Sequence, residues 1–232
     1  MSQANQLKLA AAESAAAQVA NGMIVGLGTG STATLAVEVL GRRVREGLQI
    51  IGIPTSERTS TQARALGIPL TSLGEKSEID VTIDGADEVE EVTLNLIKGY
   101  GGALLREKIV ACASKRLVIV IDNSKLVSCL GSRGPIPAEV VPFGWQATER
   151  RLADLGARTS LRRTPDGEPF LSDGGHYILD CEFNPIVSAV RLARELDHVV
   201  GLVEHGLFIG LTSEVCMAEP TGVRVLKPQP AP

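Results

Sequence analysis

MIVGLGTGST, residues 23–32, passes from a short apolar run at 23–27 straight into a glycine turn, and from there into a helical pattern covering 32–45. Apolar run, glycine turn and amphipathic stretch, in that order, read as strand, loop and helix. The unit recurs downstream. Strands are expected at 48–53, 79–83 and 117–121, with helices at 57–66 and 103–114. Strands alternating with helices imply right-handed crossovers, so the fold class is α/β with a mainly parallel sheet. Upstream, 6–19 are strong helix formers, with Leu7, Ala10, Ala11 and Ser14 along one face and Lys8 beside it.

Residues 131–142, GSRGPIPAEVVP, shift the composition to Gly and Pro, and beyond them the element order changes. A boundary is expected there. The following stretch reads as helix 145–155, strand 158–161, a turn at Asp166 and Gly167, strand 177–181, helix 185–196 and strand 199–203. That order suits a small α+β layer of ferredoxin type. Apolar runs within 207–226 are expected to return to the first sheet, which divides the chain into 1–130, 131–206 and 207–232. The tail from Pro228 is expected to fray.

The 232 residues are 44% hydrophobic and 22% charged, enough for a real core, and only 3% aromatic, so that core is built from Val, Ile, Leu and Ala. A net charge of -4 argues against nucleic acid as a partner. No apolar run approaches the roughly 18 residues that a membrane span requires, and no signal peptide is visible at the start, so a cytoplasmic protein is expected. Four separated cysteines, Cys112, Cys129, Cys181 and Cys216, suggest reduced, mostly buried thiols and neither a disulfide framework nor a zinc site. His176, His198 and His205 are not spaced as metal ligands.

Ligands of an open parallel sheet bind beyond the carboxyl ends of its strands, which directs attention to the loops that follow them. Thr29, Gly30, Ser31 and Thr32 open a helix and suit a phosphate cradle, since glycines admit an anion close to unpaired N–H groups; a plain turn capped by Ser31 or Thr32 is the competing reading. Asp84, Gly85, Ala86 and Asp87 put two carboxylates on one turn, where they can hold sugar hydroxyls, although a solvated acidic turn fits as well. Lys98, Gly99, Tyr100 and Gly101 combine a compact positive charge with free backbone donors. Glu107 lies about one helical turn further on and shares its face with Ala103, Val110 and Ala111. Such surroundings would raise its pKa toward that of a general base; the alternative is a charged triplet, Arg106-Glu107-Lys108, on a solvated face. Lys125 follows the strand at 117–121 as one more cation on this edge.

GLGTGST, DGADE, KGYGGALLREK and DNSK, in this order and at these spacings, together with the Lys8 helix and VEHGLF at 203–208, resemble type A ribose-5-phosphate isomerase over nearly the whole chain. The resemblance implies a Rossmann-like core with a small inserted ferredoxin-like domain, a homodimer or homotetramer, and a sugar phosphate substrate handled without metal or organic cofactor. Carried over residue by residue, it makes Glu107 the catalytic base, with Asp84 and Lys98 assisting. Thr29, Gly30, Ser31 and Thr32 become the phosphate loop, with Lys8 near it. Asp84 and Asp87 become the holders of hydroxyls, with Gly85 and Ala86 between them. Lys98, Gly99, Tyr100 and Gly101 surround the reacting carbonyl, and Lys125 is a further contact. Tyr100 stands where some members have glycine. Rival readings are a non-catalytic sugar-phosphate sensor, an amino-sugar phosphate deaminase or a coenzyme A transferase on a related fold.

Overall fold

The computed structural model describes residues 2–183 and 186–228. Helix α1 (Gln3–Ala16) leads to β1 (Ile24–Leu27), α2 (Ser31–Arg45), β2 (Ile51–Pro54), α3 (Glu57–Ala65) and β3 (Val81–Asp84). Short strands β4 (Glu88–Glu90) and β5 (Leu96–Ile97) precede α4 (Leu104–Cys112), β6 (Leu117–Asp122), a 3-10 turn at Asn123–Lys125 and β7 (Leu126–Val127). Next come β8 (Ile136–Val140), α5 (Trp145–Asp154), β9 (Arg158–Leu161), β10 (Tyr177–Glu182), α6 (Ala189–Leu196) and β11 (Leu202–His205). The chain closes with β12 (Leu207–Phe208), β13 (Glu214–Glu219) and β14 (Gly222–Leu226).

The largest sheet has the order β14-β13-β6-β3-β1-β2, parallel throughout except for the antiparallel edge strand β14. Alternate residues of its central strands face opposite sides, as the pleat requires. Val25, Leu27, Val81, Ile83, Val118 and Val120 meet α1, α2 and α3, and the fully buried Ala11, Ala12, Ala15 and Ala16 of α1 allow that helix to lie close. On the other side, Leu117, Ile119, Ile121, Val215 and Met217 pack with Leu96, Ala111 and Phe208. Of the C-terminal strands, β13 and β14 lie in the first sheet, whereas β12 belongs to another.

A second sheet has the order β11-β8-β10-β9, all pairs antiparallel, with α5 and α6 supplying its crossovers. In chain order this is β8-α5-β9-β10-α6-β11, the split βαβ arrangement of ferredoxin-like layers. One strand of it is hidden from the sequence: β8 lies inside the Gly- and Pro-rich stretch read as a boundary. Pro137 is tolerated near the start of a strand, where its neighbour is Gly206, whose N–H donates to the Pro137 carbonyl at 2.7 Å. The helix expected at 185–196 begins at Ala189, with Ser188 accepting from Arg191 N as its cap; Pro185, like the tail at 229–232, falls outside the described residues. The strand expected at 199–203 sits slightly later, as β11. Cys112 and Cys129 are exposed rather than buried, while Cys181 and Cys216 are buried. No described helix is long and apolar enough to cross a membrane.

A third sheet, β12-β5-β4-β7, was not expected, because ladders of two or three residues carry no readable period. It joins the other two sheets. Glu88 of β4 is wholly buried, and its two carboxylate oxygens accept from the N–H groups of Gly131 and Arg133, each at 2.8 Å. That clasp fixes the chain where it crosses toward β8. Replacing Glu88 with Ala leaves two buried donors unanswered, so Glu88→Ala should cost about 3 kcal/mol of stability. Urea denaturation measures it; an unchanged midpoint would contradict the clasp.

Candidate active site

Loops from one edge of the first sheet line a small cleft that is open to solvent. The turn after β1 forms its first wall. Gly28 is required there because a Cβ would stand 2.3 Å from Asp84 Oδ1, and Gly30 adopts φ 114°, a conformation open to glycine. Gly30 is itself the N-cap of α2, and no side chain caps that helix start, which disposes of the reading of Ser31 or Thr32 as caps. The N–H groups of Ser31, Thr32 and Ala33 therefore lack partners within the helix, and they stand at its positive end. Ser31 and Thr32 line the cleft. Lys8 does not, but its ammonium donates to Ser31 Oγ at 3.1 Å and brings a positive charge to the same helix start.

Thr29 is turned differently. Its Oγ1 lies 2.7, 2.8 and 3.0 Å from the hydroxyls of Thr55, Ser56 and Thr59, and its N–H donates to Asp84 Oδ1 at 3.0 Å. These three hydroxyl residues escaped the sequence reading. The signal was present, since Thr55 and Ser56 follow β2 at the same sheet edge, and Ser56 caps α3 by accepting from Thr59 N.

The loop after β3 splits its two acids. Asp84 lies beneath the cleft, 1% exposed, with Oδ1 accepting from the N–H groups of Thr29 and Gly85, the latter at 2.8 Å, and Oδ2 at 3.0 Å from Lys98 Nζ. Gly85, Ala86 and Asp87 line the cleft itself, and Asp87 Oδ2 accepts from Tyr100 N at 3.0 Å. From the loop after β5, Gly99 and Gly101 contribute wall. The Tyr100 side chain points elsewhere: its Oη fills the space where a Cβ on Gly134 would stand, at 2.2 Å, so this residue offers the cleft only its backbone. Lys125 lines the cleft from the turn after β6, a turn capped by Asp122, which accepts from Ser124 N at 2.9 Å.

Lys98 Nζ sits at the centre. It donates to the Gly85 carbonyl at 2.6 Å, lies 3.0 Å from Asp84 Oδ2 and 3.3 Å from Glu107 Oε1, and stands 5.6 Å from the centroid of the Phe208 ring. Burial disfavours its charge, but Asp84 and Glu107 outweigh that and hold Lys98 above its ordinary value. Glu107 is 4% exposed on α4, with Ala103, Val110 and Ala111 buried around it. Among the described residues its buried Oε2 has no hydrogen-bond partner, so one carboxyl oxygen is left for whatever enters. Burial pushes the Glu107 carboxyl up to about 8; Lys98 opposes this, and Asp84 and Asp87 add to it. Burial also raises Asp84, against Lys98 and its two backbone donors. Two carboxylates sharing one ammonium away from water leave room for a proton. The arrangement can bind an anion at the start of α2, hold hydroxyls at Asp87, and take up or release a proton at Glu107.

The profile of the family described as ribose 5-phosphate isomerase A (phosphoriboisomerase A) matches residues 51–222. Ribose-5-phosphate isomerase A of Gloeobacter violaceus is 58% identical over 97% of this chain and 98% of its own. The solved ribose 5-phosphate isomerase A of Methanocaldococcus jannaschii superposes with a TM-score of 0.92 at 42% identity, covering 96% of this chain and 98% of that one. A D-ribose-5-phosphate isomerase solved in complex with phospho-erythronic acid reaches 0.94 at 34% identity, over 97% and 100% of the two chains.

The raised Glu107 pKa costs stability at high pH. Its folded value of about 8 lies above its ordinary value of 4.5, so between those pH values the folded state keeps a proton that the unfolded chain has released. Folding thus loses stability as pH rises through that window. A glutamine resembles the protonated acid, so Glu107→Gln should change Tm little at pH 5 and raise it at pH 9, by about 2–4 °C for each kcal/mol recovered. Thermal melts at the two pH values decide this; equal shifts at both would contradict the assignment.

Proposed function

The chain belongs to the ribose 5-phosphate isomerase A family, and from that premise we propose how its cleft interconverts D-ribose 5-phosphate and D-ribulose 5-phosphate, an aldose–ketose isomerisation of the non-oxidative pentose phosphate pathway. The observation that carries the reading is Lys98 buried between Asp84 and Glu107, with Glu107 Oε2 unpartnered at the cleft. A carboxyl of raised pKa at the wall of an anion-binding cleft is suited to removing a proton from carbon.

The phosphate occupies the start of α2, held by the N–H groups and hydroxyls of Ser31 and Thr32 beside Gly30, with Lys8 and Lys125 supplying charge. Thr29 keeps that turn in place through its buried hydroxyl contacts. Asp87 accepts from the sugar hydroxyls, and Gly85 and Ala86 shape the wall beside it. Ring opening is assigned to the Lys98–Asp84 couple, which can pass a proton between the ring oxygen and the anomeric hydroxyl. Glu107 then removes the proton from C2, the C–H pair forms a C1–C2 double bond and the carbonyl pair moves onto O1 to give an enediolate; the hydroxyl proton passes from O2 to O1, and as O2 becomes the ketone carbonyl the same carboxyl returns its proton to C1. Lys98 and the N–H groups of Gly99 and Gly101 stabilise the negative oxygen; Tyr100 takes part only as the backbone between them, its own N–H donated to Asp87 Oδ2. No step calls for a metal or an organic cofactor. This is the logic by which a carboxylate base serves triosephosphate isomerase, on a different fold. The chain is further proposed to act in the cytoplasm as a homodimer or homotetramer, and to be divided at 130 and 206 into a catalytic core, a small α+β domain and a returning segment.

Isomerisation of ribose 5-phosphate in deuterated water, without added metal, should give ribulose 5-phosphate carrying solvent label at C1, read by NMR; ketose formed without any label would exclude exchange at a solvent-accessible carboxyl. Glu107→Gln should lower kcat by at least roughly 10²-fold with KM little altered. Steady-state kinetics check this, and near-normal turnover would remove Glu107 from the chemistry.

A further inference from the structure

We propose that Arg162, in the second sheet layer, is a positioning residue for this reaction: it sets the peptide groups of the loop 98–101 so that the Gly101 N–H faces the cleft as a donor to the developing oxyanion. The inference rests on the isomerase reading above. Arg162 follows directly on β9, and its side chain leaves that layer for the loop. One edge of the guanidinium grips Asp180 of β10, with Nε 2.9 Å from Oδ2 and Nη2 on Oδ1. The other edge reaches the loop, where Nη1 donates to the carbonyls of Gly99 at 3.0 Å and Tyr100 at 3.1 Å. The Phe170 ring backs the guanidinium, 5.9 Å from centroid to Cζ, and also presses on Gly102, where a Cβ would stand 2.5 Å from the ring.

Peptide geometry turns these contacts into an orientation. Within a trans peptide unit C=O and N–H point in opposite directions. The unit joining Gly99 and Tyr100 is held at both ends, its carbonyl by Arg162 and its N–H by Asp87 Oδ2 at 3.0 Å. The next unit has its carbonyl, on Tyr100, turned to Arg162, so its N–H, on Gly101, is turned away from Arg162; Gly101 is a residue of the cleft wall. Asp180 is what keeps the fork in place, since its carboxylate satisfies the two nitrogens that do not serve the loop. A planar fork can meet a carboxylate with one edge and two carbonyls with another, and an ammonium cannot. Both side chains are largely buried, 15% and 20% exposed, so neither is free to swing into solvent. The sequence gives no local sign of this, because Arg162 and Gly99 lie far apart along the chain.

Misorienting a donor to the transition state costs turnover rather than binding. Arg162→Met, which keeps the length of the side chain and removes the fork, should lower kcat for ribose 5-phosphate roughly 10- to 100-fold with KM little changed. Arg162→Lys, the milder change, should recover only part of that loss, and millimolar guanidinium should raise the kcat of Arg162→Ala without affecting wild type. Arg158→Met serves as the control: it lies on β9, pairs with Glu182 and is 82% exposed, and its kcat should match wild type. A purely structural role would lower Tm and leave kcat per folded molecule, and its response to guanidinium, unmoved. If Arg162→Met does not fold, Arg162→Lys decides alone. Wild-type kcat in Arg162→Met or Arg162→Lys, beside an active wild type, overturns this inference by itself; a wild type that does not isomerise ribose 5-phosphate overturns the functional reading and this inference with it.

Discussion

An ammonium group wholly shut away from water is costly to bury, and in this protein the cost is offset by oxygens drawn from separate parts of the fold. Lys98 gathers the carboxylate of Asp84 from the end of β3, the Gly85 carbonyl from the following loop and Glu107 from α4, with the Phe208 ring from β12 closing over it. None of these elements can shift without exposing a charge or stranding one. Three charged groups of which two are acids leave an excess negative charge, and the donors are shared unequally. Asp84 receives two backbone N–H groups besides Lys98, whereas among the described residues Glu107 receives only Lys98. The proton therefore resides more readily on Glu107, which is the property a carbon base working near neutral pH needs.

Much of this is legible in the sequence because glycine turns after apolar runs mark strand ends, and strand ends in a parallel sheet converge on one edge. Gly28 and Gly30 announce the first wall, Asp84 and Gly85 the second, and Lys98 with its glycines the third. Local patterns cannot say which of two neighbouring acids is buried and which faces the cleft, and Asp84 and Asp87 turn out to differ in just that respect. They also cannot say where a side chain goes when the backbone alone serves the site, as with Tyr100. Pattern and structure part where a breaker residue sits inside a strand: β8 carries Pro137 and reads as linker, although it is an interior strand of its sheet. Strands as short as β5 and β12 leave no period to detect, so the small sheet that joins the two layers has no trace in the pattern.

The second layer meets the rest of the chain through directional contacts as well as apolar ones. Ile97, Val127 and Leu207 pack into its core, while Arg162 bonds the carbonyls of Gly99 and Tyr100, and Glu204 and the His205 carbonyl accept from Lys108 of α4. Apolar contacts tolerate sliding, whereas directional ones fix register, so a layer that supplies no wall of the cleft can still determine the stance of the loop that does.

The charged triplet on α4 shows the same economy at the scale of a single turn. Successive helical residues are rotated by about 100°, and three adjacent side chains accordingly enter three environments: Arg106 reaches Glu57 of α3, Glu107 reaches Lys98, and Lys108 reaches Glu204 and the His205 carbonyl. The glycine-rich loop ahead of α4 looks like a place where evolution could add or drop a residue at no cost. It is not, because the loop is pinned along its length, by Lys98 on Asp84, by the Tyr100 N–H on Asp87 and by Arg162 on two of its carbonyls; a change of one residue would break one of these contacts or, if α4 took it up, turn a cation toward the cleft in place of the acid. The spacing from Lys98 to Glu107 is thus constrained by angle as much as by distance, and the length of this flexible-looking segment is as strictly specified as any position in the core.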